Sequence, residues 1–371
     1  MSIQLSFFIL VHCFSKMRSH VQWGETNMNF NAITIRDIAK ELNLSVSTVS
    51  KALRDSHEIS EKTKKLVMEY AREKNYRPNP IAQSLKQGLS KSIGIVVSTI
   101  ENQFFSQVIN GIESVAYKEG YNVIITQTHE SYDLEVKNVG HLTHRSIDGL
   151  LISLSNETKD IEHLQLLHRQ GLPIVFFDRV SNEIDTHKVI ADNYKGGYNA
   201  TRHLVESGFD RVAHITSSPN ISITKERLAG YHQALADAGI TLPDNYIKYC
   251  PHGGRDISEI ENALSELLAM DPKPNAIFTT SDRITTNTLF LINKMGLKIP
   301  DEIALAGYTN TTLADVLNPP LTSVYQPGFE IGQKATEMLI SLITSKRPVT
   351  DFETVVLPTQ LFVRKSSIKK S

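Results

Sequence analysis

Ser47, Thr48, Ser50 and Lys51 fall within five positions of one another, in the stretch TIRDIAKELNLSVSTVSKAL that runs from Thr34 to Leu53. Three hydroxyls and an ammonium so close together suit hydrogen bonds to base edges and to phosphate oxygens. The rival chemistry would belong to carboxylates. Asp178, Asp192 and Asp282 each follow a short apolar run, where open α/β sheets place their sites. No nucleophile–base pair, metal-spaced cluster or glycine-rich phosphate loop accompanies them, so the sequence assigns no catalytic residue, no metal ligand and no cofactor. The thirteen histidines are scattered, and Cys13 and Cys250 form no disulfide framework, which suits a reducing, cytoplasmic setting.

The hydroxyl cluster needs a scaffold, and the apolar residues around it supply one. Ile35, Ile38, Ala39 and Leu42, then Val46, Val49, Ala52 and Leu53, have helical spacing in two short runs joined by a tight turn. Thr34 and Ser45 stand where N-caps belong. A third periodic segment, Ser60 to Asn75, offers Leu66, Val67, Tyr70 and Ala71 to close a small core, because two helices this short cannot be stable alone. The pattern is a helix-turn-helix whose second helix would enter a DNA major groove. A plain αα-hairpin with a solvated face would share the periodicity, so charge is the arbiter. Residues 31–91 hold twelve Lys and Arg against seven Asp and Glu, while the whole chain carries −1. A basic terminal module on a mildly acidic body suits phosphate binding.

At 371 residues the chain has room for two or three domains. Ile3–Phe14 is apolar but lacks a preceding cation and a clear cleavage site, so residues 1–30 are expected to be a non-native or disordered extension, with translation starting at Met28. Residues 31–76 form the helix-turn-helix domain. Pro78 and Pro80 break its last helix, and residues 77–91 read as a hinge helix and linker. From Ser92, short Val/Ile/Leu runs alternate with helical segments, and the alternation restarts near Tyr194, which means βαβ units around parallel sheets in two similar halves. The expected boundaries are 92–190 plus 322–350 for the first half, and 191–321 plus 351–371 for the second. TVVLPTQLFV is read as one last strand.

The chain resembles, from about Ile33 to Ser366, the lactose/purine repressor family of bacterial transcription regulators. The resemblance is carried by the helix-turn-helix stretch, ISEKTKKLV, NYRPNPIAQSLKQGLSKSIGIVV, PIVFFDR, ERLAGY, FTTSDR, GLKIPDEIALAGY and PPLTSVYQP. It implies an α/β fold with a three-helix headpiece, a hinge helix and a two-subdomain core like that of a periplasmic sugar-binding protein.

It also implies roles. Val46 and Ser47 hold the positions that read base edges, with Thr48, Ser50 and Lys51 on phosphates or adjacent bases and Thr34 at the start of the first helix. Leu85 matches a minor-groove wedge, with Ala82 and Lys86 as its neighbours. Phe104, Phe105, Arg227, Arg255, Asp282 and Thr309 fall at effector positions. Thr309 departs from the family's usual aspartate, and Ile221, Ile223 and Arg255 depart from the purine-binding members, which argues against a purine and for a sugar or sugar acid.

The expected protein is thus a homodimeric, ligand-responsive repressor on double-stranded, pseudo-palindromic operator DNA, with no membrane contact. The C-terminal VRKSSIKKS has no leucine heptad for a tetramer. An exported sugar-binding receptor is the alternative.

Overall fold

The computed structural model describes residues 33–76 and 89–369. The extension assigned to residues 1–30 and the hinge residues Ala82, Leu85 and Lys86 lie outside the described residues.

Two compact units divide at Gln83 and Ser84. The first holds α1 (Ile35–Glu41), α2 (Val46–Ala52) and α3 (Glu61–Glu73). Thr34 caps α1 in a reciprocal capping box with Asp37, and Ser45 and Ser60 cap the next two helices. Such side-chain acceptors satisfy amides that helices of two turns could not otherwise pair. Ile38, Ala39, Val49, Ala52, Val67 and Ala71 form the core. Val67 and Ala71 are buried as expected, whereas Leu66, also expected inside, is 49% exposed.

The second unit contains two α/β lobes. The first lobe is built from β1 (Ser92–Val97), α4 (Gln103–Lys118), β2 (Asn122–Gln127), α5 (Tyr132–His144), β3 (Gly149–Ile152), α6 (Glu162–Arg169), β4 (Ile174–Phe177) and β5 (Lys188–Ala191). The second takes α7 (Asn193–Glu206), β6 (Val212–Thr216), α8 (Ser222–Asp237), β7 (Ile247–Tyr249), α9 (Ile257–Leu268), β8 (Ala276–Thr279), α10 (Asp282–Lys294), β9 (Ala304–Tyr308) and β10 (Thr322–Tyr325). The chain then returns through α11 (Gly328–Thr344) and β11 (Thr354–Leu357) to the first lobe, and ends with β12 (Gln360–Phe362) in the second.

The first sheet has the order β11-β5-β4-β3-β1-β2, all parallel; the second runs β12-β10-β9-β8-β6-β7, parallel except where β12 meets β10. The apolar strands read as continuous because both faces are buried. In the first lobe Ile93, Ile95, Val97, Leu151, Val175 and Phe177 pack against α4 and α11, while Val96, Leu150, Ile152, Ile174 and Phe176 pack against α5 and α6. Alternation of side chains along each strand produces that split. The second sheet repeats it, with α9 and α10 on one face and α7 and α8 on the other.

The tail boundaries differ from the sequence reading. β10, assigned with 322–350 to the first half, hydrogen-bonds in the second sheet, and β11, assigned to the second, lies in the first. TVVLPTQLFV is two strands in different sheets. Pro358 has no N–H to continue a ladder, and the chain changes lobe beside it. Three crossovers therefore join the lobes, at residues 192, 326–327 and 358–359.

Candidate functional site

On the headpiece, α2 presents Val46, 44% exposed, and Ser47 to solvent. The other nominated groups are engaged locally. The Thr48 hydroxyl lies 2.8 Å from Ser45 Oγ, Ser50 Oγ accepts from Arg54 Nη2 at 3.0 Å, and the Lys51 ammonium pairs with Glu58. The Thr34 hydroxyl donates to Asp37 Oδ2 at 2.7 Å. Val46 and Ser47 are therefore available as they stand, whereas Lys51 must exchange Glu58 for another anion.

In the second unit, a small inner cavity of about 30 Å³ lies between the lobes. Phe104, Phe105, Arg227, Asp282 and Thr309, nominated from widely separated parts of the sequence, line it together. Arg227 is its most buried charge, 2% exposed. Its Nε donates to Asn193 Oδ1 at 2.9 Å, Nη2 to Gln326 Oε1 at 2.7 Å, and Nη1 to the Thr280 carbonyl. The guanidinium lies 3.8 Å from the Tyr308 ring centre, a cation–π stack. Burial lowers its pKa. Gln326 belongs to one crossover between the lobes and Asn193 opens the helix directly after another, so this arginine ties the cavity to two of the three connections. The α7–α8 contact fixes its backbone: a Cβ on Gly197 would stand 2.4 Å from the Arg227 carbonyl oxygen.

Asp282, at the first position of α10, accepts a hydrogen bond from Thr309 Oγ1; burial raises its pKa against that bond. Asn310, beside Thr309, links the lobes by donating to Gln107 Oε1 at 2.6 Å.

A larger chamber of about 370 Å³ adjoins the cavity and shares Asn102, Arg179 and Ser281 with it. Arg255 lines only this chamber, where its Nη1 donates to the His129 carbonyl across the lobes at 2.6 Å. Arg283 and Glu101 bridge the lobes at 2.7 Å. Arg179 and Glu130 form a bidentate pair at 2.6 and 3.1 Å. Burial opposes the charge on Glu130, but Arg179 overrides it and leaves the carboxyl below its usual range.

The sequence reading left out Arg179, Glu130, Asn102, Asn310 and Gln326 and considered Asp178 only as a rival catalytic carboxylate, and all six line these spaces. Asp178 is 5% exposed, accepts only a 3.3 Å hydrogen bond from Ser153, and has its pKa raised by burial against the pull of Arg179 and Arg227. It carries a left-handed φ of 58°, as do His129 at 49° and Glu130 at 68°. Three non-glycine residues with left-handed backbone thus face one cleft, and such strain is common at functional sites. A strand ending in a carboxylate, as in PIVFFDR, was the one sequence signal for Asp178.

A three-helix DNA-reading unit and a two-lobed core with a polar cleft define a regulator with a sensor domain. Residues 34–79 match the bacterial regulatory proteins of the lacI family, and residues 90–364 match the periplasmic binding proteins and sugar binding domain of LacI family. The chain belongs to this family: it is a DNA-binding transcription repressor with an effector-binding domain. It is 32% identical over 313 residues to the HTH-type transcriptional repressor PurR of Aliivibrio salmonicida, covering 84% of this chain and 93% of that one. A transcriptional regulator CelR–cellobiose complex matches at 27% identity and TM-score 0.67, over 90% of this chain and 99% of that one. The lac repressor dimer bound to operator and an anti-inducer shares the fold, with TM-score 0.76 at 24% identity over 91% and 99% of the two chains. These relatives are repressors or regulators rather than enzymes. Among the described residues no helix is long and apolar enough to cross a membrane.

Proposed function

We propose that this protein is a cytoplasmic homodimer that binds a pseudo-palindromic operator and responds to a sugar or sugar acid held between the lobes of its core. The observation that carries the reading is the convergence of Phe104, Phe105, Arg227, Asp282 and Thr309 on one cavity, in a chain that also has an exposed reading edge on α2. Val46 and Ser47 read bases, Thr48, Ser50 and Lys51 contact phosphates or adjacent bases, and Thr34 anchors the start of α1. Leu85 is assigned the minor-groove wedge, with Ala82 and Lys86 beside it.

The inner cavity has room for about two waters, so a sugar ring requires the lobes to part or occupies the larger chamber, whose size suits a small ligand. The cellobiose complex of a relative supports a carbohydrate. Ile223 on the cavity wall offers a purine no polar partner.

The dimer rests on an apolar patch of the second lobe. Phe290 on α10 is 55% exposed, and Leu313 and Val316 are 57% and 77% exposed on a loop tied to that helix through Asn293 and Asn318. Val316→Asp is expected to shift sedimentation from dimer to monomer; an unchanged dimer would exclude this face.

The reading is tested by selecting duplexes from a random pool with the full chain. Ser47→Ala should relax preference at one base pair by about 1–3 kcal/mol, whereas Lys51→Ala should weaken all sequences alike and reduce the salt slope by about one. Recovery of no duplex above non-specific affinity would sink the regulator reading.

A further inference from the structure

The larger chamber is short of acceptors. Its two carboxylates are already occupied: Glu101 accepts from Arg283 at 2.7 Å, and Glu130 takes both Arg179 nitrogens together with the Asn156 amide N–H at 2.9 Å. Arg255 is different. Among the described residues its exposed side chain donates only to a neutral carbonyl, and no carboxylate lies within ion-pair distance of it.

Other donors line the same space or lie directly behind its wall. Arg179, 8% exposed, lines the chamber, and its Nε has no hydrogen-bond acceptor, with Asp178 Oδ2 3.9 Å away. Asn156, 6% exposed, has no partner for either end of its side-chain amide. That amide is pressed behind Gly253, a chamber residue where a Cβ would stand 2.6 Å from Asn156 Nδ2. Asn102 and Ser281, which cap α4 and α10 from opposite lobes, also line the chamber. The positive ends of a 16-residue and a 13-residue helix thus meet there.

We propose that the effector carries an oxyanion, a carboxylate or a phosphate, and that its charged group docks in the larger chamber against Arg255 and the facing ends of α4 and α10. The inference rests on the core being an effector-binding domain and adds the chemical class that the cleft selects. Arg255 is the specificity-determining residue, because it alone brings an uncompensated formal charge. Asn156 and Arg179 become partners for hydroxyls or the anion once the lobes part. A neutral sugar would leave the surplus donors to water and gain no charge-assisted bond.

The full chain is titrated by calorimetry and thermal shift at millimolar concentration with three matched series: neutral hexoses, the corresponding hexuronates, and the hexose 6-phosphates. At least one acid series is expected to bind saturably and to exceed its neutral parent by about tenfold. Arg255→Gln should erase that preference, and Arg255→Lys should restore part of it, which a merely structural role would not do. The arm that binds distinguishes carboxylate from phosphate. Neutral hexoses binding as tightly as their acids, an acid preference that survives Arg255→Gln, or an absence of binding in both acid arms would each overturn the proposal. Duplex selection by the same preparation then separates the two failures. Sequence-selective binding leaves the regulator reading standing, whereas its loss removes the ground beneath both.

Discussion

Arg227 carries two duties that a truncation cannot separate. It faces the inner cavity, and it supplies hydrogen bonds to Asn193, Thr280 and Gln326 from a buried position. Arg227→Ala would strand three buried acceptors, so it is expected to cost about 3–5 kcal/mol in urea unfolding of the core as well as the effector response. A loss below about 1 kcal/mol would show that water replaces the guanidinium and that its role is confined to ligand.

His214 offers a pH test at the same scale. It is fully buried between the Tyr231 and Phe278 rings, and burial pushes its pKa down to about 3. The folded state therefore keeps it neutral while the unfolded chain protonates it below its ordinary value of 6.5. Its stabilising contribution is present above that value and is lost as the pH falls from about 6.5 toward 3, by up to about 1.4 kcal/mol per unit. His214→Leu should flatten this part of the urea midpoint profile, and an unaltered slope would assign the acid sensitivity elsewhere.

At the scale of elements, both lobes bring two helices together through facing glycines. A Cβ on Gly332 would stand 2.0 Å from the Val108 carbonyl oxygen, and one on Gly230 would stand 2.1 Å from that of Tyr194. In each case the obstacle is backbone, which cannot rotate away. Gly332→Ala should force α4 and α11 apart and cost about 1–3 kcal/mol or more. Gly230→Ala should do the same between α7 and α8 and displace Arg227, whose backbone lies in that contact, weakening effector binding even in protein that remains folded. Ligand titration of the folded fraction checks it; unchanged affinity would mean that the helix pair does not set the arginine's position.

For the molecule as a whole, side-chain bonds cross the cleft, among them one from the Val180 N–H to Ser222 Oγ at 3.4 Å. Arg283 to Glu101, Arg255 to the His129 carbonyl and Asn310 to Gln107 span the lobes. The first is a rim pair with Glu101 largely exposed, worth about 1 kcal/mol or less. Glu101→Gln should thus raise the open population by no more than about fivefold, visible as a larger radius of gyration in X-ray scattering and reversed by ligand. A compact, unchanged profile would leave closure to the buried amide pair.

Coupling between effector and operator must be reciprocal, so each ligand alters the affinity of the other by the same factor.

The helix-turn-helix was legible in the sequence because its information is local. Thr34, Ser45 and Ser60 lie next to the helices they cap, and the apolar spacing of α1 to α3 is read within a few residues. The alternation of apolar runs and amphipathic helices likewise revealed two parallel-sheet lobes, since strands buried on both faces must be apolar throughout. The motifs that marked Phe104, Phe105, Arg227, Asp282 and Thr309 named residues up to about two hundred positions apart, and folding brought them to one cavity. What the sequence left open was non-local. Which sheet β10, β11 and β12 join depends on long-range pairing that periodicity does not encode. Arg179 and Glu130 read as ordinary loop charges until the segments after β4 and β2, two strands apart in the sheet, converge at its carboxyl end and pair them. Leu66 and Val67 are adjacent and both apolar, the sequence placed both in the core, and the packing of α3 on its neighbours left Leu66 outside.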